Sequence, residues 1–211
     1  MSMQNKPSLP VIKRLPRYYR YLGEMEQSGV VKVSSSELAR MMGTTASQVR
    51  QDFNCFGGFG QQGIGYNVKL LREELGKLLF GRRPVPTVLI GAGNLGHAMA
   101  NYLRKDAQGF ALQAAFDVKP EMVGLTLCDV PILDMKELGS YCAEHRPKVA
   151  VICVPREAAA QVARQLIDLG VRAFWNFSHY DFSIEFPDVV VENVHLGDSL
   201  ATLSYEVNNN L

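Results

Sequence analysis

A glycine-rich segment lies between a short apolar run and a helical pattern. Thr87-Val88-Leu89-Ile90 leads directly into Gly91-Ala92-Gly93-Asn94-Leu95-Gly96. At the start of a helix, backbone N–H groups that no side chain covers can bind a pyrophosphate. We expect Gly91 to permit the tight turn, Gly93 to let the pyrophosphate approach, and Gly96 to allow close packing of helix on strand. The segment therefore predicts a dinucleotide site.

An acidic residue follows at the expected distance. A second apolar run, from Leu112 to Phe116, ends at Asp117, which is 26 positions after Gly91. A carboxylate there can bind the ribose hydroxyls, and it would repel a 2′-phosphate. We therefore expect NAD(H), as NADH and NAD⁺, rather than NADP(H). NADP(H) remains an alternative, because the nearby cation Lys119 could bind a 2′-phosphate.

The alternation of apolar runs and helical patterns continues to about residue 194. It predicts a parallel sheet with helices on both faces, the doubly wound class of α/β domains. Ligands bind such sheets beyond the carboxyl ends of the strands. Residues just past those ends complete the candidate cofactor site: Val154, Pro155, Asn176 and Ser178.

Charge divides the chain at the segment Gly81–Pro86, where Gly and Pro interrupt the pattern. Residues 1–83 hold 13 Lys and Arg against 6 Asp and Glu, a net charge of +7. Residues 84–211 carry a net charge of −6. A compact basic module of this size is typical of a domain that binds a polyanion.

Two short helices are predicted within the basic half. Ser34-Ser35-Ser36-Glu37 and Thr45-Ala46-Ser47-Gln48 each have the spacing of a capping box, and Gly43 between them can end the first helix. Helix, tight turn and helix is the arrangement of many DNA-binding domains, although it also occurs without DNA function. Four polar residues of the second helix are the candidates for contact with bases or phosphates: Ser47, Gln48, Arg50 and Gln51.

A longer amphipathic helix is predicted before this pair, from about Pro10 to Gln27. Pro16 either kinks it or begins a shorter helix. The basic stripe of this helix is either a solvent-exposed face or a surface that contacts phosphate. We assign the phosphate contact to Arg14. The stripe consists of Arg14, Arg17 and Arg20.

A glycine-rich segment follows the two short helices. Phe56–Tyr66 holds five glycines in eleven residues, with interleaved aromatic side chains that do not suit a linker. It predicts a β-hairpin wing that reaches the DNA backbone through Gly60, Gln61 and Gln62. The basic half is therefore predicted to be a winged-helix domain.

Other classes of function have little support in the sequence. The chain has no apolar run long enough to span a bilayer and begins with a polar segment, so we expect a cytoplasmic protein. Its four cysteines lack metal-binding spacing, and we expect no metal. An NAD-dependent dehydrogenase remains the enzymatic alternative, but almost no chain is left for a substrate domain, so we expect no catalytic residues.

The fragments RLPRYYRYL, VSSSELAR, FGGFGQQGIGY, IGAGNLG and AAFDV occur in this order. With these fragments, essentially the whole chain resembles the Rex family of redox-sensing transcriptional repressors. The resemblance implies a homodimer that binds a palindromic operator on double-stranded DNA and releases it when NADH binds. It also implies three regions: residues 1–83 for DNA, residues 84–194 for the cofactor, and residues 195–211 as a helix exchanged between subunits.

The resemblance also implies a switch, from which this sequence departs. The family pairs an aspartate at the start of the exchanged helix with an arginine and a tyrosine, here Arg20 and Tyr102. The aspartate position holds His195, followed by Leu196, and the family's basic pair in the wing is Gln61-Gln62. Two outcomes are open: an altered coupling between cofactor and DNA, or its loss. A different adenine-containing effector, such as coenzyme A, is a third interpretation.

Overall fold

The computed structural model describes residues 7–56 and 65–210. Its internal contacts divide the chain into two compact units, Met1–Arg82 and Arg83–Leu211. Each unit has its own hydrophobic core.

The first unit is helical, with one short strand pair. Strand β1 (Lys32–Val33) pairs antiparallel with β2 (Tyr66–Asn67), and Val33 lies opposite Tyr66. Pro16 lies on the exposed side of the first helix and does not interrupt it. The helices are α1 (Leu9–Gln27), α2 (Ser35–Met42), α3 (Ala46–Asn54) and α4 (Val68–Phe80).

Capping explains where α2 and α3 begin. The capping box at Ser34 and Glu37 is confirmed, since each side chain accepts the other residue's backbone N–H. Gly43 ends α2 in the left-handed conformation, at a φ of 64°. Only half of the second predicted capping box forms. The Thr45 side chain accepts the backbone N–H of Gln48, but the Gln48 side chain donates to Asp52 instead of bonding to Thr45.

Three aromatic rings meet in the core of the first unit. The Phe53 ring of α3 lies 4.9 Å from the Tyr18 ring and 5.1 Å from the Tyr66 ring, centroid to centroid. Burial of these side chains joins α1, α3 and β2 and contributes to the hydrophobic driving force for packing. The aliphatic part of this core includes Leu15, Leu22, Leu38, Val49, Leu71 and Leu75.

A seven-stranded sheet forms the second unit. The spatial order is β5-β6-β4-β3-β7-β8-β9, and all neighbours are parallel except the hairpin β5-β6. From β6 to β9 this is the order of the dinucleotide-binding doubly wound fold. The strands are β3 (Val85–Ile90), β4 (Phe110–Asp117), β5 (Thr126–Leu127), β6 (Val130–Asp134), β7 (Val149–Ile152), β8 (Ala173–Asn176) and β9 (Val190–Asn193).

Helices cover both faces of this sheet, as predicted. One core contains Leu138 and Val162 from two of the helices, and a second core, on the opposite face, contains Ala100 and Leu103. A 3-10 turn, Met135–Glu137, follows β6. The helices are α5 (Asn94–Lys105), α6 (Leu138–His145), α7 (Arg156–Asp168), α8 (Phe182–Glu185) and α9 (Leu196–Asn210).

The last helix leaves its apolar side chains in solvent. Leu196 is 58% exposed, Leu200 67% and Leu203 58%. These residues lie three and four positions apart and so share one face of α9. The stripe therefore does not cover the sheet of its own chain.

Candidate nucleic-acid and dinucleotide sites

The glycine loop lies between β3 and α5, at the point where the strand order reverses. Gly91 has a φ of +94°, and a Cβ there would lie 2.6 Å from the carbonyl oxygen of Cys153. A Cβ on Gly96 would lie 2.0 Å from the carbonyl oxygen of Gly91. A Cβ on Gly93 would meet nothing within 4 Å. The first and third glycines are therefore required by the fold, whereas the second opens onto free space.

Helix α5 begins in that open space without a side-chain cap. Gly93 is its N-cap residue, and among residues 7–56 and 65–210 no side chain caps the first N–H groups. Gly93 and Asn94 are exposed, and Leu95 is half-buried. Uncapped N–H groups and the positive end of the helix dipole favour an anion at this position. The loop can therefore hold a phosphate group by its backbone.

Asp117 at the end of β4 is bound to the same loop. One carboxylate oxygen accepts the backbone N–H of Ala92 at 2.7 Å, and the other accepts that of Lys119 at 2.9 Å. The residue is 8% exposed, while the Lys119 side chain lies in solvent. Each carboxylate oxygen has a second lone pair, so the group can still accept from a ribose hydroxyl.

The turn after β7 forms the other wall of the loop. Val154 lies against Gly91, with Cγ1 3.1 Å from where a Cβ on the glycine would stand. Pro155 is exposed at the start of α7. The Cys153 backbone N–H donates to Ile90 at 2.8 Å, and burial raises the pKa of its thiol to about 12. The cysteine is therefore a neutral packing group.

Asn176 and Ser178 lie at the end of β8 but are buried, at 0% and 3% exposure. The Asn176 amide donates to the Tyr180 carbonyl and to Asn193, both at 2.7 Å, and accepts from Ser178. With these bonds made, the two residues shape the loop beyond β8. Their contact with a cofactor stays a prediction.

Helix α3 presents three of its four predicted contact residues to solvent. Ser47, Arg50 and Gln51 are exposed. The Arg50 guanidinium donates to the Ser35 hydroxyl at 3.0 Å, which connects α3 to the start of α2. Gln48 is half-buried, and its amide nitrogen donates to Asp52 at 2.9 Å.

Asp52 is the residue that the sequence reasoning missed. It is fully buried, accepts from both arms of the Arg14 guanidinium at 2.7 Å, and accepts from the Tyr18 hydroxyl at 3.0 Å. Burial alone would raise the pKa of Asp52, but hydrogen bonds from Arg14, Gln48 and Tyr18 outweigh it and hold that pKa below its ordinary value. The carboxylate is thus ionised and bridges α1 to α3.

This bridge changes the interpretation of Arg14. Its guanidinium serves Asp52, and its side chain is only 30% exposed. Phosphate contact by Arg14 stays a prediction, whereas its contact with Asp52 is direct. Arg17 and Arg20 instead lie over the Tyr21 ring, at 5.6 and 5.3 Å from its centroid, on the exposed side of α1. The wing residues Gly60, Gln61 and Gln62 lie outside the described residues.

The predicted switch residues of the second unit occupy its surface. Tyr102 is 46% exposed, with its ring 5.9 Å from that of Trp175. The His195 ring stacks on His179 at 6.0 Å, with an angle of 11° between the planes. Leu196 follows at the exposed start of α9. The role of these residues in a switch stays a prediction.

The described residues contain neither a membrane-spanning helix nor a metal-binding cluster. Within residues 7–56 and 65–210, none of the helices is both long and apolar enough to cross a bilayer. The same ranges hold no cluster of three His, Cys, Asp or Glu side chains that could bind a metal ion.

Comparison with known protein families assigns a separate model to each unit. A model described as "Putative DNA-binding protein N-terminus" matches residues 7–54. A model described as "CoA binding domain" matches residues 82–180. The two matches fall on the helical unit and on the unit with the glycine loop.

Full-length relatives and solved structures match the whole chain. A redox-sensing transcriptional repressor Rex from Thermoanaerobacter pseudethanolicus is 46% identical over 99% of this chain and 92% of its own length. The structure of RSP with β-NAD⁺ and operator DNA matches at 45% identity and a TM-score of 0.89, over 97% of this chain and 94% of RSP. RSP with β-NADH matches at 42% identity and a TM-score of 0.87, over 99% and 96%. With this identity over nearly its full length, the chain belongs to the Rex family of redox-sensing transcriptional repressors.

Proposed function

We propose that this chain is a transcriptional repressor that binds operator DNA through its first unit and NAD(H) through its second. NADH binding then releases the operator. The observation that carries the proposal is the solved relative RSP, 45% identical, which binds β-NAD⁺ and operator DNA at once. Because a repressor acts on DNA, we propose the cytoplasm as its location.

The glycine loop is the proposed cofactor site. The uncapped start of α5, the free space at Gly93 and the carboxylate of Asp117 suit a dinucleotide: backbone N–H groups for the pyrophosphate and an acceptor for the ribose. Its edges are Val154 and Pro155, with Lys119 at the outer rim. The chain's own residues supply binding and orientation only, and the matching relatives are named as repressors rather than enzymes.

A switch requires that NADH and NAD⁺ differ in their preference for two states of the protein. A ligand with equal affinity for both states releases nothing. Moving nearly the whole population from the DNA-binding state to the released state requires a ligand that binds the released state more tightly by about 5.5 kcal/mol. His195 in place of the family's aspartate removes a carboxylate from the family's pairing with Arg20, so we propose an altered coupling.

Fluorescence anisotropy of operator release tests this proposal. The probe is a labelled duplex selected by the protein from a random library, titrated with NADH, with NAD⁺ and with coenzyme A. We expect NADH to release the duplex at lower concentration than NAD⁺. Asp117→Ala is the control for the site and should require more NADH. Binding of the duplex that no concentration of NADH reverses would contradict the proposed switch.

Coenzyme A is the second candidate effector, because the model that matches residues 82–180 is described as a CoA binding domain. Both ligands contain an adenine nucleotide and a pyrophosphate, so the glycine loop suits either. Release by coenzyme A but not by NADH in the same titration would select this second candidate.

We further propose that the repressor is a homodimer held by α9. The exposed leucine stripe of this helix requires a partner surface, and a second copy of the chain can bury each stripe by exchange. We expect Leu203→Asp to convert the dimer to monomers in analytical ultracentrifugation, because it places a charge in the buried stripe. Thr202→Asp, on another face of α9, is the matched control and should leave the dimer intact. An unchanged dimer in Leu203→Asp would exclude this interface.

A further inference from the structure

The buried carboxylate of Asp52 connects α1 to α3 and forms a cluster of four side chains with Arg14, Tyr18 and Gln48. Arg14 and Tyr18 of α1 donate three hydrogen bonds to it, and Gln48 of α3 donates a fourth. Gln48 and Asp52 lie four positions apart on α3, so they share one face of the helix. Of the four, Gln48 lies nearest the exposed start of α3.

An ionised carboxylate only accepts hydrogen bonds. A glutamine amide beside it must therefore present its nitrogen, because its oxygen would face another acceptor. The contact between Gln48 Nε2 and Asp52 Oδ1, at 2.9 Å, is this arrangement. Arg14 holds the carboxylate in place, since its guanidinium binds both oxygens at 2.7 Å. Asp52 therefore determines the orientation of the Gln48 amide.

We propose that Asp52 is a positioning residue for base recognition: by holding the Gln48 amide with its nitrogen inward, it fixes which atoms of that amide face DNA. One N–H and Oε1 of Gln48 remain unused by Asp52. An adenine in the major groove offers N7 as acceptor and N6–H as donor, which is the complementary pair. The base that Gln48 reads is therefore an adenine. This inference rests on the proposed DNA-binding function.

Position along α3 supports the assignment. Gln48 lies in the first turn of this helix, and the first residues of a recognition helix are those that reach base edges. The half-buried side chain is held through its amide nitrogen and is partly open to solvent. A side chain held before binding loses less conformational entropy when it contacts a base. The network therefore supplies preorganisation as well as orientation.

The test uses the full-length protein and the selected duplex. Every base pair of one half-site is changed in turn, and affinity is measured against a scrambled duplex of the same composition. We expect one adenine of the half-site whose replacement costs wild type about tenfold in affinity. In Asp52→Asn, whose amide can turn either end toward Gln48, we expect discrimination at that adenine to fall below about threefold. Affinity for the scrambled duplex should stay within about twofold, because phosphate contacts are unchanged.

A double-mutant cycle separates positioning from a general effect on the fold. Gln48→Met removes the amide and should abolish discrimination at the same adenine. If Asp52 acts through Gln48, Asp52→Asn adds no further change of base preference in the Gln48→Met background. Gln27→Met, the same substitution at the exposed end of α1, is the matched control and should not affect this adenine.

The outcomes are distinct. Retained adenine discrimination in Gln48→Met overturns the inference, and this variant leaves the ion pair intact, so the result stands even where Asp52→Asn fails to fold. Further loss of discrimination in the double variant also overturns it. A wild-type protein that selects no duplex would overturn the proposed function itself, and the inference with it.

Discussion

The glycine loop after β3 and the helix α3 are both candidate contact surfaces, but they are held in different ways. The loop is held by backbone groups: Gly91 and Cys153 donate N–H bonds to neighbouring strands at 2.8 Å, and two of its glycines lie where a Cβ would meet backbone oxygen. Helix α3 is held by side chains, through the bonds of Asp52 and the contact between Arg50 and Ser35.

This difference determines what each surface can recognise. A site made of backbone N–H groups binds the phosphates common to all dinucleotides, whereas side chains held by other side chains can be exchanged to read different bases. The first kind of site tolerates almost no change at Gly91 and Gly96. The second tolerates change at its outer residues as long as the network beneath them is retained.

Glycine substitutions should have the largest effect. Gly96→Ala places a Cβ 2.0 Å from a carbonyl oxygen, so we expect a loss of about 3 kcal/mol in the free energy of unfolding of the second unit. Trp175 is the only tryptophan of the chain, and its fluorescence in a urea titration measures the stability of this unit.

Gly93→Ala is the matched control for that variant. Its Cβ would enter free space, so the urea midpoint should not change, whereas NADH binding measured by calorimetry should weaken. Equal destabilisation by the two substitutions would show that the loop is not held as described.

A smaller effect is expected from Arg50→Ala in the first unit. Loss of the guanidinium should weaken operator binding by about 2 kcal/mol if it reads a base, because a good base contact contributes about 1–3 kcal/mol. Anisotropy with the selected duplex measures the change. Lys77→Ala removes an equal charge from α4 and is the control. An effect on the scrambled duplex as large as that on the operator would reassign Arg50 to phosphate.

The smallest effect is expected from acid, which should destabilise the first unit before the second. This effect is absent at neutral pH, where Asp52 is ionised. The pKa of Asp52 lies below its ordinary value of 3.8, so its ionised form stabilises the first unit above that pH. This stability is lost as the pH falls through the lowered pKa. We expect helical circular dichroism to decrease at a higher pH than that at which Trp175 fluorescence changes. Coincident transitions would contradict the expectation, and Asp52→Asn should remove the acid-dependent part.

Local features of the sequence predicted much of this protein. The spacing of Ser34 and Glu37 places a helix start correctly, because a capping box involves only neighbouring residues. The glycine loop and its acid at Asp117 were predicted because the required backbone geometry permits few residue types. By contrast, the second capping box was half wrong, since Gln48 bonds to a residue one turn further on rather than to the backbone at Thr45.

The amino-acid sequence by itself determined the family, the two kinds of domain and the position of the glycine loop. These features depend on local spacing, on charge and on glycine positions that no other residue type can occupy. Only the tertiary structure decided the roles of Arg14 and Asp52, which are 38 positions apart and form an ion pair because the packing of α1 against α3 buries the carboxylate. It also decided that α9 leaves its leucine stripe in solvent, since periodicity shows that a helix has an apolar face but not which surface covers it.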